Sequence, residues 1–500
     1  DHRGVGPAPC GTRRRLVYGL TQLVTALLLY LPLVVGGVDI LLARFPQLTG
    51  ALTTGALDTA SPVFYLDALG VSFALFAGAI VAGLVLVVTV PRVLALAVRP
   101  ERTYPLYGFH YSMHRTVARL TNLKFYTYLF GDSSYIVGYL RAIGYDLSRT
   151  VQTGSNFGTG VKHETPFLAT IGSGTMVADG LSVVNADFST TSFRVSRATI
   201  GARNFLGNRI AYPSRGRTGD NCLLATKVMV PLDGPVRENV GLLGSPSFEI
   251  PRTVERDGRF DHLESGIENA VRLSRKNRYN LRSIGLALLV RWMHVFGITL
   301  LAMTAAEFYE RFGAATLAVE IAGVLLFTFL YYIVVERAVA GFRPLRPRFC
   351  SIYDPYFWWH ERFWKLVIPE LDRMLAGTPF KNVVSRMLGV RIGARVFDDG
   401  CFLPERTLVA IGDDATLNVG TVIQSHSQED GAFKSDHSRL GSRVTLGVGA
   451  FVHYGVTVGD DAVLGPDSFL MKGEQVPPGA RWDGNPAGAR ALTHDLGRHG

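Results

Sequence analysis

An aliphatic side chain recurs every six residues late in the chain, at Leu440, Leu446, Val452, Val458, Leu464 and Leu470, most of them followed by a small or turn-compatible residue. This is the hexapeptide pattern of a left-handed parallel β-helix. Short flat strands meet at three corners per coil, so every sixth side chain points inward and stacks on the coil below, while Gly and Asp serve the corners.

The ladder occurs twice. Ile171-Gly172 through Leu181, then Ile200-Gly201, Leu206-Gly207 and Gly219-Asp220, repeat Ile411-Gly412, Leu440-Gly441, Leu446-Gly447 and Gly459-Asp460 at a constant offset (441 − 201 = 240). The duplication reaches upstream, where Leu129-Phe-Gly-Asp and Arg141-Ala-Ile-Gly parallel Leu375-Ala-Gly-Thr and Arg386-Met-Leu-Gly. Two in-register copies that share corner glycines argue against chance.

Five hundred residues exceed one compact core, and a mean hydropathy of +0.20 is high for a soluble protein. Membrane segments account for the excess. Leu16 to Val38 and Leu69 to Val90 carry no charge, and Ile284 to Ala306 and Gly313 to Val335 carry internal charge; each is long enough to span, which takes about 20 apolar residues. Arg13, Arg14 and Arg15 precede the first span, and Arg92, Arg99 and Arg102 follow the second. Arg275, Lys276, Arg278 and Arg282 precede the third, and Arg337, Arg343 and Arg346 follow the fourth. The two connecting loops hold only Arg44 and Arg311. By the positive-inside rule, two hairpins begin and end in the cytoplasm and both β-helices face it. The net charge of +10 is then largely basic collars on anionic lipid, and nucleic acid need not be invoked.

The fold class expected is a membrane protein with four transmembrane helices in two hairpins alternating with two left-handed parallel β-helix domains. Residues 1–100 form the first hairpin, 101–265 the first β-helix domain with a helical lead-in, and 266–340 the second hairpin. Residues 341–490 form the second β-helix domain with an aromatic-rich interfacial lead-in, and 491–500 a tail. In that lead-in Tyr353, Tyr356, Phe357, Trp358, Trp359, Phe363 and Trp364 interleave with charged residues, which suits either the lipid headgroup layer or packing on the adjacent β-helix. Cys10, Cys222, Cys350 and Cys401 have no CxxC spacing, so neither a disulfide framework nor a thiolate zinc site is indicated. A basic-then-apolar start without an initiator Met or a small-residue cleavage site reads as a piece of a longer chain.

Arg343-Pro-Leu-Arg-Pro, Asp354-Pro-Tyr-Phe-Trp-Trp-His-Glu-Arg, Phe397-Asp-Asp-Gly-Cys, Lys162-His-Glu-Thr-Pro, Thr191-Ser-Phe-Arg and Leu243-Gly-Ser-Pro-Ser resemble the terminal membrane region of the nonribosomal peptide synthetases typified by epsilon-poly-lysine synthetase. Val476-Pro-Pro-Gly-Ala with Gly484-Asn-Pro-Ala resembles the ending of hexapeptide acyltransferases. The first resemblance implies upstream adenylation and carrier domains and a third β-helix domain, all missing from this chain. It also implies a donor thioester on a carrier's phosphopantetheine, no cofactor bound by this chain, and an amino acid or growing polymer as acceptor. A pseudo-trimer of tandem β-helices or a homo-oligomer follows from the trimers of the wider family.

Acyl transfer from a thioester to an amine needs a base for the amine proton and donors for the tetrahedral oxyanion. His426 is the expected base. It lies in Gln424-Ser-His-Ser-Gln-Glu-Asp430, which breaks the ladder between Val422 and Leu440 and should loop out of a corner. Glu429 or Asp430 would orient the imidazole or hold a cationic amine; His437, His453 and His163 are expected substrate-binding residues. At the constant offset His426, His437 and His453 face Ala186, Arg197 and Pro213, which suggests an active second copy beside a structural first one. His163 has no counterpart and also suits a capping role at the coil entrance.

Other readings remain. A zinc hydrase would use His426 and His453, but Val448 stands where a third ligand belongs, so no metal is expected. A stand-alone coenzyme A-dependent acyltransferase and a non-catalytic scaffold for the product are the alternatives. Within the spans, Arg291, His294 and Glu320 would either line a polar path or snorkel and pack between helices.

Overall fold

The computed structural model describes residues 11–44, 59–147, 157–158, 160–253, 258–263, 266–367 and 373–489. The expected tail, 491–500, and Cys10 lie outside them.

The six ladder residues from Leu440 to Leu470 are each at most 4% exposed. They sit on short parallel strands: Leu440 pairs with Val458, Leu446 with Leu464 and Val452 with Leu470. A strand therefore returns to its own sheet after 18 residues (458 − 440 = 18), three steps of six. Coil-to-coil spacing leaves no room for a side chain at some corners. A Cβ on Gly441 would meet the backbone nitrogen of Asp460 at 2.7 Å.

The earlier ladder builds a second stack of the same kind, with Ile171 beside Ile200 and Leu206 between Val177 and Leu224. In each stack one coil is longer. Ile171 to Ile200 and Ile411 to Leu440 span 29 residues (440 − 411 = 29), eleven more than a plain coil, and an antiparallel hairpin takes up the excess.

Helices Pro62–Ala95, Ile267–Phe312 and Ala314–Val339 are long and apolar enough to cross a membrane, with no more than 11% of their apolar stretches buried. Thr12–Arg44 is a further 33-residue helix with Leu16, Leu20, Leu27 and Leu31 exposed. Within these helices, His294 Nε2 lies 2.9 Å from Thr328 Oγ1 and its ring stacks on Phe327. Arg291 lies over the rings of Phe125 and Tyr128. Both find local packing partners.

The aromatic lead-in is helical over Pro355–Leu366, capped by the Asp354 carboxylate on the Tyr356 N–H. Tyr353, Phe357 and Trp358 are buried around Phe433 of the second stack, and Phe363 around Leu408. Its Glu361 and Lys365 are buried too. Lys276, on the long helix Gly266–Phe312, donates to both Glu361 oxygens at 2.6 and 2.8 Å. Lys365 donates to the carbonyls of Tyr128, Leu129 and Gly131 in the first copy. Buried charge persists only when paired or multiply hydrogen-bonded, so this helix ties the two copies and the long helix Gly266–Phe312 together.

The stacks also touch directly. Lys227 donates to the Gly449 carbonyl at 2.9 Å and to the Asp467 carboxylate, Asn485 donates to the Lys227 carbonyl at 3.1 Å, and Arg209 donates to the Gly420 carbonyl at 2.8 Å.

Candidate active site between the stacks

The extra residues of the longer coil fold into strands His426–Glu429 and Ala432–Ser435, joined by Asp430 (φ 44°) and Gly431 (φ 79°). Two residues at positive φ make the tight turn that matches strand twist, for which Asp-Gly is a favoured pair. Strand Arg348–Ser351 covers the other edge of the hairpin. His426 stands at its open end, opposite Ser435. A strand thus fixes it where the sequence suggested a loop.

Glu405, just before the short helical turn Arg406–Leu408, is fully buried and faces the imidazole. Its Oε1 lies 2.7 Å from His426 Nδ1 and accepts from Trp364 Nε1 at 2.6 Å. Oε2 accepts from the Ser425 N–H at 3.1 Å, and His360 Nε2 lies 3.5 Å from Oε1. The His426 contact is short but off the N–H direction, so Nδ1 has no well-aligned acceptor. Such bonds often tighten only when substrate binds. Burial alone would raise the Glu405 carboxyl, but His426 opposite it, with the His360 and His426 contacts, holds it well below the usual carboxylate range. A buried carboxylate that stays ionised beside an imidazole fixes its tautomer and stabilises the imidazolium formed on proton uptake. With Nδ1 turned to Glu405, Nε2 is the nitrogen left for a substrate. The ring is held between Trp364 (centroids 4.4 Å apart) and Phe433 (6.1 Å).

His426 lines a cavity of about 350 Å³ between the stacks, walled on one side by Val177, Phe205 and Leu223 and on the other by Phe402, Phe469 and Met471. His453, Glu429 and Asp430 line it as well. His453 is buried, and that burial brings its pKa down to about 3; its Nδ1 accepts from the Tyr454 N–H at 3.0 Å. Glu429 accepts from Lys472 at 2.9 Å, and Asp430 accepts from Arg252 of the first copy at 2.9 Å. Both carboxylates are thus paired with basic side chains, and the group on the imidazole is Glu405. His437 lies elsewhere, beside Arg391, Thr407 and Arg439. His163 is buried in the first copy, with Nδ1 3.1 Å from Tyr145 Oη and Nε2 2.8 Å from Thr121 Oγ1, and burial lowers its pKa to about 3. Among the described residues, no group of three or more His, Cys, Asp or Glu is placed to hold a metal ion.

No protein-family profile matches the chain. Its sequence is similar to the delta-poly-L-ornithine synthetase of Acinetobacter baumannii, 28% identical over 398 residues that cover 77% of this chain and 29% of that protein. The resemblance to poly-amino-acid synthetases holds. A serine acetyltransferase of Helicobacter pylori is 34% identical over 111 residues, covering 21% of this chain and 59% of that one. The chain therefore spans under a third of the first relative and under two thirds of the second. Among solved structures, a hexapeptide-repeat acetyltransferase from Vibrio cholerae covers 24% of this chain and 86% of its own at 16% identity and a TM-score of 0.21. The sequence similarities support an acyltransferase-type role.

Glu405, Trp364 and His360 escaped sequence reasoning, because 21 to 66 residues separate them from His426 (426 − 405 = 21, 426 − 360 = 66) and only the hairpin and lead-in helix bring them together. Comparing the copies further carries the signal. At the offset of 240, Glu405 falls on Thr165 and His426 on Ala186. In the lead-in helices, where His360 matches His114 (360 − 114 = 246), Trp364 falls on Ala118. Both lead-in histidines lie on the matching Phe, His114 on Phe193 and His360 on Phe433, so the alignment holds in space. The first copy keeps the frame and lacks the reactive groups.

Proposed function

We propose that this chain is the membrane-anchored condensation part of a nonribosomal poly-amino-acid synthetase, with four transmembrane helices and two left-handed β-helix domains on the cytoplasmic side. It transfers an aminoacyl group from a carrier-bound thioester to an amine, forming an amide or isopeptide bond. The observation that carries the reading is His426 held on buried Glu405 at the edge of a cavity between two stacks.

In this mechanism His426 Nε2 takes a proton from the acceptor amine as its nitrogen attacks the thioester carbonyl carbon. Glu405 stabilises the imidazolium. When the tetrahedral intermediate collapses, the C–S bond breaks and the imidazolium proton passes to the departing thiolate. Thioester and amine thus become amide and thiol, and His426 is returned neutral. The apolar walls exclude water, which protects the thioester from hydrolysis and strengthens the His426–Glu405 interaction. The first stack contributes a wall and the anchoring Arg252–Asp430 pair.

The test is polymer formation by the full synthetase carrying His426→Ala. Folding, membrane insertion and thioester loading should be retained while polymer falls by a factor on the order of 10²–10⁴, the usual contribution of a positioned base. Substitution of Ala186 should do far less. Near-normal polymer from His426→Ala, at matched expression, would leave a scaffold role instead.

A further inference from the structure

The cavity beside His426 carries five carboxylates, and four have partners within the fold. Asp430 pairs with Arg252 and Glu429 with Lys472. Asp132 acts electrostatically on Lys276 and Lys365, and Asp179 accepts from the Gly160 N–H at 2.8 Å while facing Arg209. The fifth, Glu474, differs. Its Oε2 accepts from the Met471 N–H at 2.9 Å, and among the described residues no basic side chain pairs with it. Half-burial raises its pKa, as expected of a carboxylate whose counter-charge is not part of the fold.

At the 240 offset Glu474 falls on Gly234, so the copy without the His426–Glu405 pair also lacks this carboxylate. A half-buried anion in an apolar-walled cavity is costly unless a cation joins it. Resting on the proposed condensation reaction, we infer that Glu474 is the specificity-determining residue for the acceptor, and that it binds the ammonium group that does not react. An acceptor with two amines would then present one to His426 and the other, still protonated, to Glu474. A mono-amine of the same length would leave Glu474 without its cation.

Glu474→Gln tests this, because the amide oxygen can still accept from the Met471 N–H while the charge is lost. The chain, in nanodiscs with aminoacyl-pantetheine as donor, is offered ornithine, 5-aminopentanoate and norvaline; the last two each lack one of ornithine's amines. Glu474→Gln should raise KM for ornithine on the order of 10- to 100-fold, the factor that loss of one charge-assisted hydrogen bond supplies. It should leave kcat and the KM values of both mono-amines nearly unchanged. An unchanged ornithine KM, or equal rises for all three acceptors, would overturn the assignment. His426→Ala in the same assay separates the two failures: if it transfers as fast as the wild type, or if the wild type transfers nothing, the condensation reading falls and takes the role of Glu474 with it.

Discussion

Amidation of one buried oxygen should nearly silence the site. Glu405→Gln preserves shape, and its carbonyl oxygen can still accept from either Trp364 Nε1 or the Ser425 N–H but not from both, so the fold should be kept at a cost of about 1–3 kcal/mol for the lost bond. The charge is lost. At the observed 2.7 Å, a carboxylate attracts an imidazolium by about 6 kcal/mol for an effective dielectric of about 20. The transition state develops only part of that charge, and a glutamine dipole restores some of the attraction, so roughly 3–5 kcal/mol should be lost. That corresponds to a fall in kcat of about 10²–10⁴, in line with the roughly 10⁴-fold loss when the carboxylate orienting a catalytic histidine is amidated. The assay is single-turnover amide formation at saturating acceptor, with thermal unfolding measured in parallel. Activity within a few-fold of wild type in a stable Glu405→Gln protein would refute the idea that His426 gains charge during the reaction.

Two further outcomes follow from the same structure. His163 and His453 are buried neutral with pKa values brought down to about 3, so between about pH 6.5 and pH 3 the unfolded chain binds protons that the folded chain does not. Stability should therefore fall as pH drops below about 6.5, by on the order of 1 kcal/mol per pH unit for each histidine; a flat thermal-unfolding profile from about pH 7.5 to 5 would contradict this, and His163→Gln should flatten it in part. For topology, Ala60→Cys and Thr190→Cys, both at exposed positions, should differ toward an impermeant thiol reagent on intact cells, with only the first labelled. Labelling of both would refute the cytoplasmic placement of the stacks.

The inward register was legible because it depends on a local rule. A period of six places Leu440, Leu446 and Val452 inside whatever lies around them, and the structure buries all three. The place of His426 was half legible. A break in the ladder announced an excursion, and the Asp430-Gly431 pair that makes it a hairpin was in plain view. Glu405 was hidden because a lone carboxylate on a coil reads as surface, and only the fold packs Trp364, His360 and Ser425 around it. Glu429 and Asp430 drew attention by adjacency in sequence. Glu429, however, ends its strand and Asp430 opens the turn, and their side chains meet Lys472 and Arg252. The buried aromatics of the lead-in were likewise undecidable from composition, since the same residues suit a lipid surface or a protein one; Phe433, far along the chain, decides it.

The central claim is that the second copy joins an aminoacyl thioester to an amine. The direct measurement supplies a carrier domain, charged with a radiolabelled amino acid, in trans and follows both discharge of the carrier and appearance of label in an amide during a single turnover. The wild-type chain should discharge the carrier only when an amine acceptor is present, with label passing into amide, and His426→Ala should slow this on the order of 10²- to 10⁴-fold without altering carrier loading. Discharge at the same rate in both proteins, or release of label as the free amino acid whether or not an amine is present, would contradict it.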